Sequence, residues 1–269
     1  MPAGLIDTHS HLQSEKLRDR LGELIAEARA KGVEGILICA GSRADWEDCA
    51  RIAHEYGLSY ALGIHPLAAP EADEEADLRA LAAAAEAAMD DPHFAAIGEI
   101  GIDGLTGEMP ERQERLFAGQ LKIARRLGLP VSVHVRKSSS RVLKYLNRTP
   151  PAGGAVHAFN GSDAERAAFL KLGLSLGFGG AASYAGSLRI RRHLAEAPAG
   201  RWVIETDAPD MPSSARRDAG SLVTEPADLA ATLAIAAELR GISLEEAAAQ
   251  SRANALAAFP RMAQALPVA

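Results

Sequence analysis

Short apolar runs that stop on an acid or an imidazole recur along this chain. Leu5-Ile6 leads into Asp7-Thr8-His9-Ser10-His11, Val33 to Ala40 is a second run, Leu58 to Ile64 stops at His65-Pro66, and Phe94 to Ile100 carries Glu99 inside it. Leu129-Pro130-Val131 opens a fifth run that leads to His134, and Gly153 to Val156 ends at His157. Leu174 to Phe178 is a seventh, and Trp202-Val203-Ile204 delivers Glu205-Thr206-Asp207. Each has the length of a buried strand. Between them the apolar period changes to that of a helix. Leu17, Leu21, Leu24, Ile25 and Ala28 predict a helix over Glu15 to Lys31, with Gly32 placed to stop it. Further helices are predicted over Trp46 to Tyr56, Ala76 to Met89, Glu111 to Arg126, Val142 to Leu146, Ala164 to Leu172 and Leu188 to Leu194. Pro226 to Leu239 and Leu244 to Phe259 would then close an outer ring. Eight strands alternating with helices, without a Ser/Gly-rich linker, predict an α/β fold: a single (β/α)8 TIM barrel forming one domain over residues 1–269.

Composition narrows the function classes. At 269 residues and 48% hydrophobic, the chain can bury a core of this size. A net charge of -6 argues against a generally basic nucleic-acid coat but leaves room for a local basic rim around a phosphate site. Cys39 and Cys49 stand alone, outside any Cys-x-x-Cys spacing, so neither a disulfide framework nor a structural zinc knot is expected. Two reduced thiols, a first strand that begins by Leu5, and no apolar run of the ~20 residues that span a bilayer predict a cytoplasmic chain without a membrane segment.

The polar strand ends supply the chemistry. His9 and His11 are two apart, so on an extended chain both side chains face one way. In a barrel all strands point in the same direction, and their C-terminal ends converge on one face. Six residues would meet there: His9, His11, Glu99, His134, His157 and Asp207. A catalytic zinc takes three protein ligands and a water, so six ligands suggest two cations with a shared carboxylate. Glu99 is the expected bridge, because its strand lies between the two ligand groups in barrel order. Paired ions roughly 3.5–4 Å apart suit phosphoester hydrolysis. Four imidazoles favour Zn2+, Mn2+, Fe2+ or Ni2+ over Mg2+, which could still support turnover as the abundant ion. His65 reads equally as a phosphate contact or a pre-proline turn residue, and Arg136 with Lys137 as phosphate binders or a solvated pair. Arg189, Arg191 and Arg192 read as a solvated helix face, and Tyr184 as a stacking candidate. His54, His93 and His193 lack strand-end context and read as surface residues.

The motifs Asp7-Thr-His-Ser-His11-Leu, Gly63-Ile-His65-Pro, Gly98-Glu99-Ile-Gly-Ile-Asp103, Leu129-Pro-Val-Ser-Val-His134-Val-Arg136, His157-Ala-Phe-Asn-Gly161 and Glu205-Thr-Asp207-Ala-Pro209 resemble the successive signatures of the TatD family of metal-dependent deoxyribonucleases. Arg112-Gln113 to Gln120-Leu121 and Thr224-Glu-Pro226, with Asn254 and Phe259, extend the resemblance over nearly the whole chain. It implies a barrel of the amidohydrolase superfamily and a Mg2+-, Mn2+- or Zn2+-dependent phosphodiesterase acting on DNA, typically as an exonuclease. By the same resemblance His9, His11, Glu99 and Asp207 would hold one ion and Glu99, His134 and His157 the other, with Asp207 also activating water. Leu67, Gly104 and Lys137-Ser138 depart from the family's usual residues on the rim, which bears on substrate preference rather than on hydrolysis. The alternative is a metal-dependent amide, ester or lactone hydrolase of the same superfamily, whose members often bridge their ions through a modified lysine where this chain has Glu99. No obligatory protein partner is evident from the sequence; the partner expected is DNA or a small phosphoester.

Overall fold

The computed structural model describes residues 4–105 and 108–267. The strands are β1 (Leu5–Ser10), β2 (Val33–Cys39), β3 (Ser59–Leu62), β4 (Phe94–Asp103), β5 (Val131–Arg136), β6 (Gly154–Val156), β7 (Ser175–Phe178) and β8 (Trp202–Ile204). They form one sheet in sequence order, each parallel to the next. Helices α1 (Glu15–Arg18), α2 (Leu21–Ala30), α3 (Trp46–Tyr56), α4 (Glu74–Ala87), α5 (Pro110–Leu127), α6 (Ser139–Arg148), α7 (Asp163–Lys171), α8 (Leu188–Glu196), α9 (Ser214–Asp218), α10 (Leu229–Arg240) and α11 (Leu244–Ala258) fill the connections. This is the (β/α)8 barrel that the alternating pattern predicts. No helix among the described residues is long and apolar enough to cross a membrane.

Local chemistry accounts for the helix ends. Gly57, Gly128 and Gly241 take the left-handed conformation that closes α3, α5 and α10. Ser162 starts α7 with a reciprocal capping box to Glu165, and the Ser243 side chain accepts from the Glu246 amide at the start of α11. Two elements differ from the sequence reading. The helix expected over Glu15 to Lys31 breaks between α1 and α2, where Arg20 leaves helical geometry and bonds Glu225 at 3.1 Å and Glu23 at 3.0 Å. These long-range and local carboxylates outweigh a helical period that would otherwise run on. The short α9 follows β8 and begins at Ser213, whose hydroxyl accepts from the Arg216 amide; its apolar content is too small for periodicity to find.

The two ends of the barrel have opposite character. At the N-terminal end, Phe259 and Met262 pack with Ile6, Leu37, Ala61, Ala95, Ala155 and Val203 in one buried apolar cluster. Arg261 ties this segment to β4 by donating to the carbonyls of Phe94, Met89 and Asp91 at 2.7–3.1 Å. At the C-terminal end the interior turns polar, with His9, Glu99, His157, Glu205 and Asp207 all buried. β-bulges in β1 (between Asp7 and Ser10) and in β4 (between Ile97 and Ile100) fall where those two strands switch from apolar to polar filling. A bulge re-aims the side chains beyond it, so an imidazole and a carboxylate are turned into the barrel. Gly98 permits the matching close approach of β4 and β5: a β-carbon there would lie 2.8 Å from that of Ser132.

Candidate metal centre

All six residues expected to ligate a metal meet at the C-terminal end of the barrel. The centre is organised by the two oxygens of Glu99, which is 2% exposed. Its Oε2 lies 3.1 Å from His9 Nε2 and 3.2 Å from His11 Nε2. Its Oε1 lies 2.8 Å from His134 Nδ1 and 3.3 Å from His157 Nε2. Asp207 completes the first group, with Oδ1 3.6 Å from His9 Nε2 and 3.5 Å from His11 Nε2. One carboxylate therefore presents one oxygen to each of two imidazole pairs.

Each imidazole is aimed by a partner on its other nitrogen. His11 Nδ1 donates to the Cys39 carbonyl at 2.8 Å, which leaves the Nε2 lone pair facing Glu99 and Asp207. His9 Nδ1 meets the Ser132 hydroxyl at 2.8 Å. His134 Nε2 is bonded to Asp103 Oδ2 at 3.1 Å, so its Nδ1 points inward. His157 Nδ1 lies 3.4 Å from Glu205 Oε1, and the same oxygen accepts the Ala158 amide at 2.5 Å. Gly177 makes the room for this carboxylate, since a β-carbon there would come within 2.3 Å of Glu205 Oε2. Carboxylates and carbonyls behind metal-facing histidines fix the tautomer and raise ligand basicity.

The donor set fits divalent cations. His9 Nε2 and His11 Nε2 are 3.2 Å apart and converge on the same carboxylate oxygen of Glu99. The electrostatics point the same way. Burial disfavours a charged His157, yet Glu99 and Asp207 carry it up to about 10. His11 is likewise raised against burial by its bonds to Asp207 and Glu99, and His134 by those to Asp103 and Glu99. Glu99 itself, although burial opposes ionisation, is held well below the ordinary carboxylate range by the surrounding imidazoles. A cavity that draws positive charge so strongly, lined by imidazole and carboxylate, is suited to a divalent ion.

His65 also reaches the centre, with Nε2 3.3 Å from Glu99 Oε1 and 3.2 Å from His134 Nδ1. Its Nδ1 accepts the Leu67 amide at 3.1 Å, so a neutral ring carries its proton on Nε2. Burial lowers its pKa and keeps the ring neutral. His65 thus presents an N–H rather than a lone pair, which separates it from the ligand histidines. Arg136 ends β5 on the rim, 57% exposed, with Nη1 3.9 Å from Asp103 Oδ2. Among the other basic residues, Arg189 donates to Asn160 at 2.9 Å, Arg191 to the Ala182 carbonyl at 2.9 Å, and Arg192 pairs with Asp163 at 2.9 Å. Tyr184 donates to the Pro212 carbonyl at 2.6 Å.

One surface assignment is corrected. His193 is fully buried on α8, donating Nε2–H to the Gly161 carbonyl at 2.8 Å and standing edge-on to Phe159. A helical period with charges on both sides concealed it. The sequence reading also gave no role to Asp7, Asp103, Glu205 or Ser132. Asp7 accepts the Thr206 amide at 3.0 Å, the Thr206 hydroxyl at 2.5 Å and the His9 amide at 3.2 Å, while burial pushes its carboxyl up to about 7. The available signal was position: Asp103 and Glu205 are acids at strand ends and Asp7 an acid inside a strand, each within two to four residues of a proposed ligand.

Comparison with known proteins agrees with this geometry. The chain matches the TatD related DNase family over residues 6–260. It is 35% identical over 216 residues to an uncharacterized metal-dependent hydrolase of Haemophilus influenzae, covering 77% of this chain and 81% of that protein. It is 32% identical over 263 residues to the 3'-5' ssDNA/RNA exonuclease TatD of Klebsiella pneumoniae, covering 95% and 97%. The crystal structure of YjjV, a TatD homologue from Escherichia coli, superposes with a TM-score of 0.90 at 31% identity, over 97% of this chain and 99% of that one. Matched along almost its whole length by family, sequence and fold, the chain belongs to the TatD related DNase family and is a metal-dependent hydrolase.

Proposed function

We propose that the chain is a DNA phosphodiesterase, working from the 3′ end of a single strand through two divalent ions bridged by Glu99. The observation that carries this reading is the division of the Glu99 oxygens, Oε2 towards His9 and His11 and Oε1 towards His134 and His157. His9, His11, Asp207 and Glu99 Oε2 would hold one ion, and His134, His157 and Glu99 Oε1 the other. Zn2+, Mn2+ and Mg2+ are the candidates. When bound, such ions lower the pKa of a water and neutralise charge on the phosphoryl oxygens.

The chain's own residues supply the rest. Asp207 is held below the ordinary carboxylate pKa, against burial, by the nearby imidazoles, and so stands ready as a proton acceptor. As the water oxygen bonds to phosphorus and the P–O3′ bond breaks, Asp207 takes the water proton, and the departing 3′-oxygen takes a proton from solvent water to leave as a hydroxyl. His65, whose Nε2–H lies 3.3 Å from Glu99 Oε1, would donate to a phosphate oxygen that enters beside it. Arg136 on the rim would meet a neighbouring phosphate. The 3'-5' ssDNA/RNA exonuclease activity of the Klebsiella relative supports a single-stranded DNA or RNA substrate and this polarity. All proposed ligands come from one chain, so the centre needs no partner protein. The same reading takes residues 1–269 as one domain and places it in the cytoplasm, supported by two buried free thiols, Cys39 and Cys49.

The test is cleavage of a 5′-labelled single-stranded DNA oligonucleotide with Mn2+, Mg2+ or Zn2+, with a chelator and Asp207→Ala as controls. A ladder shortening from the 3′ end, absent in both controls, is expected. A metal-loaded chain that leaves DNA intact but cleaves an ester, lactone or amide would overturn the nuclease reading.

A further inference from the structure

β1 and β8 carry His9, His11 and Asp207, yet they are the two end strands of the sheet, and among the described residues no regular ladder joins them. The seam is closed instead by Asp207 N–H to the His9 carbonyl at 2.9 Å, His11 N–H to the Ala208 carbonyl at 2.7 Å, and side chains. Thr8 donates to the Ile204 carbonyl at 3.1 Å. Asp7 supplies two more bonds across it, both to Thr206. Its Oδ1 accepts the amides of Thr206 and His9, and its Oδ2 accepts the Thr206 hydroxyl. That hydroxyl in turn accepts the Ala208 amide at 3.2 Å.

The residues on either side of Asp207 are therefore tied back to one carboxyl on β1, Thr206 directly and Ala208 through the Thr206 hydroxyl. Asp207 lies between them in the left-handed region, at φ +57°, a conformation that needs support from its surroundings in a residue with a β-carbon. The geometry points to Asp7 as a positioning residue, a clasp from β1 to Thr206 that holds Asp207 in its left-handed turn opposite His9 and His11. Asp7 touches no proposed substrate position, and it acts only through Thr206 and the two strand ends.

This inference rests on the metal-centre reading above, and it has a consequence that fold stability alone would not produce. Loosening the clasp affects the ion shared by His9, His11 and Asp207, and spares the one at His134 and His157. The experiment is Mn2+ titration of the metal-free protein, with free Mn2+ followed by electron paramagnetic resonance. Wild type, Asp7→Asn, Thr206→Val and Thr206→Ser are compared, each also melted without metal. Thr206→Val keeps the shape but removes the hydroxyl; Thr206→Ser restores it. One of the two Mn2+ sites is expected to weaken roughly 10- to 100-fold in Thr206→Val and Asp7→Asn. The other should stay unchanged, and Thr206→Ser should recover wild-type binding. A lower melting temperature with both sites at wild-type affinity would overturn the inference and leave Asp7 a purely structural residue. Equal weakening of both sites would overturn it as well. If wild type bound no Mn2+, the metal-centre reading itself would fail, and the clasp with it.

Discussion

His134 and His157 reach Glu99 from β5 and β6, strands with ladder partners on both flanks, and each is backed by a carboxylate, Asp103 or Glu205. His9, His11 and Asp207 reach it across the β1/β8 seam, where an uncharged hydroxyl and a carbonyl aim the imidazoles and side chains share the joining with two backbone bonds. The two sides offer similar ligands, but their geometry is enforced differently. On the first, backbone pairing sets position and acids set orientation. On the second, each strand has a ladder on one flank only, and side-chain bonds share the seam with two backbone bonds. The seam side should thus be the more easily disturbed by a single substitution outside the ligand set. The same comparison explains why Glu99 matters most, since its two carboxylate oxygens are divided between the two sides.

Glu99→Ala should therefore have the largest effect, loss of both ions and of catalysis by about 10^3-fold or more, the equivalent of several kcal/mol of transition-state stabilisation. Metal binding and hydrolysis of a chromogenic phosphodiester would check it; retention of one tight ion would break the symmetry claimed for Glu99. Next come the ligands of one side only. His157→Ala should release the ion on the ladder side and His11→Ala the one at the seam, each leaving the other measurable in the Mn2+ titration. Asp103→Asn should be milder, weakening only the His134 side by about 10- to 100-fold. His65→Gln should leave both ions bound and raise KM by about 10- to 100-fold, the value of a charge-assisted hydrogen bond to phosphate. Loss of an ion in that variant would show His65 to be a ligand after all.

The smallest effect is expected at the opposite end of the barrel. Asp91 accepts from His54 and Tyr60 at 2.8 Å each, and His54 holds its carboxyl below the ordinary value although burial pushes the other way. A carboxyl lowered in the folded state stabilises above its unfolded pKa, and the contribution is lost as pH falls through the folded value. Asp91→Asn should cost about 1 kcal/mol near pH 7. The difference from wild type should shrink below about pH 4, while metal affinity stays the same. Urea denaturation at a series of pH values would measure this.

Much of the centre was legible because a barrel strand is a simple object: a few apolar residues that end where the interior meets solvent. Glu99 and His134 stood out as polar interruptions of such runs, and parallel strands guarantee that those interruptions meet. The supporting layer was harder to read. Asp103 and Glu205 sit at strand ends just as the ligands do, and only coordinates show that one carboxylate faces the cavity while its neighbour faces the back of an imidazole. His65 was left open between two roles, because the Leu67 amide that fixes its tautomer comes from a turn that spacing does not describe. Asp7 was quoted within a motif and given no task, since its partner Thr206 is 199 residues away. The break at Arg20 and the burial of His193 were missed for the same reason, both being set by contacts from distant segments.

The most direct test of the account is a crystal structure of the protein soaked in Mn2+, with the ions located by anomalous scattering. Two peaks are expected, one beside Glu99 Oε2 with His9, His11 and Asp207, the other beside Oε1 with His134 and His157. A single peak, or two that share no oxygen of Glu99, would contradict the bridged centre on which the proposed chemistry depends.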